Sequence, residues 1–160
     1  MQEPGFDGVV THLGISDGGV PKNTTRKVRI GSLGLQGDRQ NDLRHHGGPD
    51  RAVCVYSMDV IERINAEGHP IAPGSTGENM TIRGLDWSRV APGCRLELSG
   101  GVALEVMSYT VPCSTIIGSF ARGEIRRIHQ DDHPGESRVY TRVLVEGEAS
   151  VGESVRLIPA

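Results

Sequence analysis

Glycine and proline interrupt this chain at intervals too short for long regular elements. The 22 glycines and 9 prolines make up nearly a fifth of the 160 residues, against roughly an eighth in average usage. They are dispersed and follow no triplet period, so a collagen-like helix is excluded. What remains is a chain of short strands joined by tight turns. The longest uninterrupted apolar run, Ala52 to Tyr56, is far too short to span a bilayer. Hydrophobic residues at 36% and charged residues at 23% argue against disorder. The length suits one core, because two domains would each approach the lower size limit for sufficient burial.

A net charge of −3 gives no general attraction to phosphate backbones, which argues against a nucleic-acid binder. Met1-Gln2-Glu3-Pro4 has neither a basic nor an apolar leader pattern. Cys54, Cys94 and Cys113 are irregularly spaced and odd in number, unlike a disulfide framework. The expectation is one soluble cytoplasmic domain over residues 1–160, without membrane or nucleic-acid partners.

Local patterns place the elements. Gly8 to Gly14, Lys27 to Leu35 and the apolar stretch Arg51 to Ser57 are β-rich, with a turn at Asp17–Pro21. Ser57 is an N-cap, Met58, Ile61 and Ile64 recur every three residues, and Gly68 stops the helix predicted over 58–67. Cys94–Leu98 and Val102–Met107 flank Gly100-Gly101 as a hairpin. Ile116, Ile117, Phe120, Ile125 and Ile128 have helical spacing that Gly118 and Gly123 divide. Arg138–Val145 and Glu153–Ile158 are the last strands. The expected fold is mainly β with a few helices, a barrel or sandwich of about seven to nine short strands.

Four clusters could carry chemistry. Residues 37–51 pack charges, His45, His46, Gly47 and Gly48 into a stretch that cannot be core, and Arg39, Arg44 and Arg51 offer planar forks for phosphate. Pro73–Asn79 is a turn whose glycines do not match a P-loop, with Glu78 and Asn79 as candidates. Pro112-Cys113 ends a strand beside a helix start, where unpaired backbone N–H groups favour the thiolate needed for nucleophilic attack or a soft metal. Cys54 and Cys94 instead read as small buried hydrophobes. Tyr140 and Arg142 share one strand face and can line a pocket together. No CxxC or HExxH occurs, so a structural zinc site is not expected, and three scattered cysteines cannot hold an iron–sulfur cluster.

In order along the chain stand Gly34-Leu35-Gln36-Gly37-Asp38-Arg39-Gln40, His46-Gly47-Gly48-Pro49-Asp50-Arg51-Ala52-Val53, Gly77-Glu78-Asn79, Pro112-Cys113 and Tyr140-Thr141-Arg142-Val143-Leu144. Taken together they resemble the MOSC domain, named for the C-terminal part of molybdenum cofactor sulfurases, in its stand-alone bacterial form. The resemblance runs from about Val20 to Leu157. It implies a β-barrel-like single domain whose basic pocket receives the pterin-bound molybdenum cofactor. It also implies that Cys113 is the catalytic residue and the metal ligand. Lys22, Arg39, His46, Gly47, Gly48, Asn79, Tyr140 and Arg142 become the implied cofactor-binding residues. Two departures stand out. Many relatives carry Arg two residues before the Pro-Cys pair, where this chain has Thr110, so one anion contact is missing or supplied elsewhere. Glu136 is a charge where an aromatic is expected.

The resemblance implies a molybdenum-dependent oxidoreductase that reduces N-hydroxylated small molecules. No nicotinamide, flavin or iron–sulfur motif occurs in the chain, so an external electron-transfer protein is required. The alternative is a non-catalytic carrier of cofactor or of persulfide sulfur, with Cys113 as the acceptor. A third reading, a cysteine-nucleophile hydrolase, needs His45, His46, His129 or His133 within hydrogen-bond reach of Cys113.

Overall fold

The computed structural model describes residues 5–39 and 47–160. Eleven strands are present among the described residues: β1 Gly8–Ile15, β2 Asn23–Thr25, β3 Lys27–Gly31, β4 Gly34–Leu35, β5 Val53–Ser57, β6 Met80–Arg83, β7 Arg95–Leu98, β8 Ala103–Tyr109, β9 Val139–Val145, β10 Gly147–Ser150 and β11 Ser154–Ile158. Eight of them form one sheet in the order β11-β7-β8-β9-β5-β6-β1-β2, and β11 also pairs with β1, which closes the sheet into a ring. Closure removes the open edges that an extended sheet would expose. β10, β3 and β4 form a separate small sheet.

Strand register explains the core. Val53 faces Thr141, Val55 faces Val139 and Met80, Leu104 faces Leu96, and Val10 faces Ile82. All of these side chains are buried, so one face of every ring strand points inward. β5 is buried on both faces, as its unbroken apolar run suggests. Its outer face is covered in part by α1, Met58–Ala66, which buries Val60, Ile61 and Ile64. The Ser57 hydroxyl accepts from Val60 N, which is the N-cap expected from sequence.

Two features differ from the sequence expectation. The apolar spacing after Cys113 does not give an α-helix but 3-10 turns at Ser114–Ser119, Ala121–Gly123 and Ile125–Ile128. Arg122 adopts φ 55, a left-handed conformation that interrupts any continuous helix there. Ile116, Phe120 and Ile128 still reach the core, whereas Ile117 is exposed. β6 was not expected. It is held by parallel pairing with β5, a contact between segments distant in sequence. No helix among the described residues is long and apolar enough to cross a membrane.

Candidate functional site

Two corners of the molecule collect the residues singled out by sequence. The first is built on Lys22, which follows the Asp17–Pro21 turn and is buried. Its backbone N donates to Gly74 O at 2.9 Å. A Cβ at Gly74, which has φ +80, would lie 2.7 Å from Lys22 O, and one at Gly14 would lie 2.9 Å from Lys22 Cβ. Glycine at both positions lets three chain segments close around this lysine. Lys22 Nζ donates to Asp38 Oδ1 at 2.7 Å, and Ser16 N donates to the same oxygen at 2.9 Å. Asn79 Nδ2 donates to Asp38 Oδ2 at 2.8 Å and to Gly14 O at 3.2 Å, while Asn79 Oδ1 accepts from Cys54 N at 3.1 Å.

Asp38 therefore organises this corner, a role the sequence reading did not assign. Residues 37–51 were expected to lie outside the core. That holds for Arg39, whose exposed side chain sits 3.6 Å from Asp17. It fails for Asp38, whose side chain is only 6% exposed. Donors from Lys22, Ser16 and Asn79 offset the cost of removing the carboxylate's charge from water. His46 lies outside the described residues. Gly47 and Gly48 follow with φ 79 and 82, and a side chain at Gly48 would meet nothing within 4 Å.

The second corner lies where β8 and β9 part. Thr110 N donates to Arg138 O at 2.9 Å, so the two residues face each other across the ladder. Past Pro112, Cys113 sits with extended backbone at the start of the Ser114–Ser119 turn. Its thiol is partly exposed and lies 2.8 Å from Thr115 Oγ1. No described histidine is hydrogen-bonded to it, and the His129 ring instead accepts from Asp131 N.

Tyr140 lies opposite Cys54 on β5 and Ser108 on β8, next to an irregularity in β8 between Val106 and Ser108. The Arg51 guanidinium stands 5.9 Å from the Tyr140 ring centroid. Burial pushes the Tyr140 phenol above its ordinary value, so it keeps its proton at neutral pH. The Cys54 and Cys113 thiols push in the same direction, while the charges of Arg138 and Arg51 oppose. Burial also pushes the Cys54 thiol up to about 11, and its sulfur lies 3.7 Å from Thr110 Oγ1. Cys54 is thus an inert buried thiol, as is Cys94, which donates to Arg89 O at 3.3 Å.

Arg142 shares the Tyr140 strand face but is exposed, with Nη2 2.5 Å from Glu105 Oε1 on the adjacent strand. Arg138, two residues before Tyr140, is buried and its Nη1 donates to Thr76 O at 2.5 Å. Period-two alternation through Arg138, Tyr140 and Arg142 was the sequence signal that could have found it. Glu78 is buried too and accepts from Thr76 Oγ1 at 3.2 Å. Burial pushes its carboxyl above the ordinary range, and Arg138 opposes that shift. Glu136 is taken up by ion pairs to Arg127 at 2.7 Å and Arg63 at 3.3 Å, which tie its loop to α1. Among the described residues no three His, Cys, Asp or Glu side chains come together as a metal-binding group. A thiolate at Cys113 could still serve as a single protein ligand to a metal that brings its own.

The profile of the MOSC domain matches residues 42–156. The uncharacterized protein YflK of Bacillus subtilis is 34% identical over 126 residues, which cover 78% of this chain and 55% of that protein. YiiM of Escherichia coli is 26% identical over 136 residues, covering 82% and 59%. The chain thus spans somewhat over half the length of these curated relatives. Among solved structures, the YUAD protein of Bacillus subtilis superposes with a TM-score of 0.73 at 18% identity, covering 96% of both chains. A strand ring of this kind, with a lone accessible thiol where β8 and β9 part, is the setting in which the profile match falls, and the chain belongs to the MOSC domain family, which is associated with molybdenum cofactor binding.

Proposed function

We propose that the chain binds the molybdenum cofactor at the corner of Cys113 and reduces N-hydroxylated small molecules with electrons from an external donor protein. The observation that carries this reading is the partly exposed Cys113 thiol, three residues past Thr110, which pairs with the buried Arg138 at the end of the β8–β9 ladder; among the described residues the Arg138 Nε has no hydrogen-bond partner. A soft sulfur ligand and a cation with unused donor capacity fit a pterin-bound metal that carries phosphate. When bound, the cofactor supplies the two-electron chemistry that removes a nitrogen-bound oxygen. Balanced, a hydroxylamine plus two electrons and two protons gives an amine and water.

The chain's own residues bind and orient. Cys113 presents its sulfur from the end of the Pro112 turn. Arg39 supplies an exposed cationic donor, and Gly47 and Gly48 carry no side chains that would block a ligand's approach. Tyr140 holds a proton and offers a hydrogen bond, and Arg142 contributes charge at the rim. Lys22 and Asn79 are committed to Asp38 and serve by holding the loops around it in place.

A second reading is favoured by the same thiol having Thr115 and no described histidine as its neighbour. It is a carrier in which Cys113 holds a persulfide without turnover. Metal analysis of protein made in a molybdenum-replete host, beside Cys113→Ala, separates the two. Near-stoichiometric molybdenum lost in the variant, with reductase activity toward N-hydroxylated compounds when an electron donor is added, supports the first. Molybdenum absent from the wild type, with sulfur on Cys113 after treatment with a cysteine desulfurase, supports the carrier.

A further inference from the structure

The stretch 111–123, which carries Cys113, is tied to the rest of the chain by few polar contacts. Among the described residues, the hydrogen bonds that leave it for another element start from Ser119 and Ala121 and end on the loop after α1. The Ser119 hydroxyl donates to Ser75, lying 2.9 Å from its Oγ and 3.2 Å from its carbonyl oxygen. Ala121 N donates to His69 Nδ1 at 3.0 Å. The other bonds of the stretch stay within a few residues along the chain, as between Cys113 and Thr115 or from Ile116 N to Cys113 O. Ile116 and Phe120 add apolar burial, which holds the stretch down but is not directional.

His69 is itself firmly held. Gly68, at φ 104, turns the chain out of α1. The Asn65 amide, in the last turn of α1, donates to His69 O and to Ile71 O, each at 3.0 Å. The His69 side chain is buried at 6% exposure. An imidazole nitrogen that accepts from a backbone N–H carries no proton, so the ring proton sits on Nε2, 3.9 Å from Glu124 Oε2. The Phe120 ring meets the imidazole edge to face, with 5.5 Å between centroids. One buried ring thus receives Phe120, Ala121 and Glu124 in succession.

We propose that His69 is a positioning residue for Cys113: together with Ser75 it latches the turns after Cys113 to the end of α1, and through them it fixes where the thiol stands. The Ser114–Ser119 turn begins at Cys113 and ends at this latch. On its other side the stretch is pinned by the bond from Thr110 N to Arg138 O. A thiol on a strap pinned at both ends keeps one orientation. With one pin removed, the strap opens locally and the thiol is exposed more often. The bearing of the latch on function rests on the role proposed for Cys113 above, whereas the latch itself is independent of it.

The test is the rate at which iodoacetamide alkylates Cys113, read peptide by peptide by mass spectrometry. The full chain is made in a host that lacks the molybdenum cofactor, so that the thiol is open to reagent under either reading of its role. Wild type is compared with His69→Leu, which has no acceptor, with His69→Asn, whose Oδ1 stands near the place of Nδ1, and with Ser119→Ala. Loss of the acceptor leaves Ala121 N unpaired and favours the open strap, so Cys113 reacts about fivefold faster or more in His69→Leu. The buried Cys54 and Cys94 stay protected. His69→Asn keeps an acceptor and remains within about twofold of the wild type. An unchanged or slower Cys113 in folded His69→Leu overturns the proposal, and so does equal acceleration in His69→Asn. Should Cys54 and Cys94 open as well, His69→Leu has lost its fold and Ser119→Ala, which cuts only the second tie, decides. Faster alkylation confined to Cys113 then keeps the latch, and an unchanged rate sinks it. Molybdenum content is read separately on protein from a replete host. The expected rates in a chain that takes up no molybdenum keep the latch and remove the cofactor reading. Unchanged rates with near-stoichiometric molybdenum do the reverse.

Discussion

The Lys22 corner and the Arg138 corner use buried positive charge in opposite ways. At Lys22, an ammonium, an amide and a backbone N–H from separate segments converge on one carboxylate, and the charges cancel within the protein. At Arg138, one nitrogen bonds a carbonyl, another is sealed without a partner among the described residues, and burial disfavours the charged form of the Glu78 carboxylate. The first arrangement holds loops together. The second leaves a buried nitrogen unmet among the described residues, at the end of the ladder that leads to Cys113. What a buried charge does is therefore told by its compensation rather than by its residue type.

The largest effect should come from opening the closed corner. Asp38→Ala strands a buried ammonium and removes the acceptor of Ser16 N and Asn79, a loss of about 3–5 kcal/mol in unfolding free energy. Urea denaturation reads it directly. Arg138→Met removes a charge together with its unmet demand, so its cost should be well below that of Asp38→Ala. Equal losses would break the contrast between the corners.

A smaller and pH-dependent effect belongs to Glu78. Burial raises its folded-state value above 4.5, so the folded chain holds this proton more tightly than the unfolded chain. The stability it contributes is complete below the ordinary carboxylate value and is lost as pH rises through the folded value. Glu78→Gln removes that loss, so the variant's melting temperature should gain on the wild type as pH rises from about 4.5 upward. A flat difference would mean that Arg138 keeps Glu78 ionised, and the two corners would then be alike. The smallest effect is expected from Arg142→Ala, which removes an exposed ion pair worth about 0–1 kcal/mol. A loss of several kcal/mol on thermal denaturation would place Arg142 with the buried charges after all.

Legibility in the sequence followed the range of the interactions. Helix α1 could be placed from Ser57, the spacing of its isoleucines and Gly68, because cap, stripe and stop all lie within about a dozen residues. The Cys94–Met107 hairpin was legible for the same reason. Apolar spacing from Ile116 to Ile128 located buried residues but misjudged the backbone. Three 3-10 turns bury Ile116, Phe120 and Ile128 without a continuous helix. At the candidate site Cys113 and Tyr140 stood out as chemistry in a marked local context. Asp38 and Arg138 did not, since nothing beside them in the chain announces burial.

Taken alone, the sequence determined that many short strands alternate with tight turns, that one helix follows β5, and that a family-typical order of motifs ends in Pro112-Cys113 and Tyr140-Thr141-Arg142. These follow from turn chemistry and side-chain periodicity, which are local. The closure of the ring through β1 and β11, the parallel seat of β6, and the choice of which charge meets which arose only in three dimensions. Asp38 meets Asn79 from 41 positions away, and Arg138 finds no carboxylate within ion-pair distance among the described residues. Ion pairing and desolvation depend on what the folded chain brings within a few ångströms, and no short window of sequence contains that information.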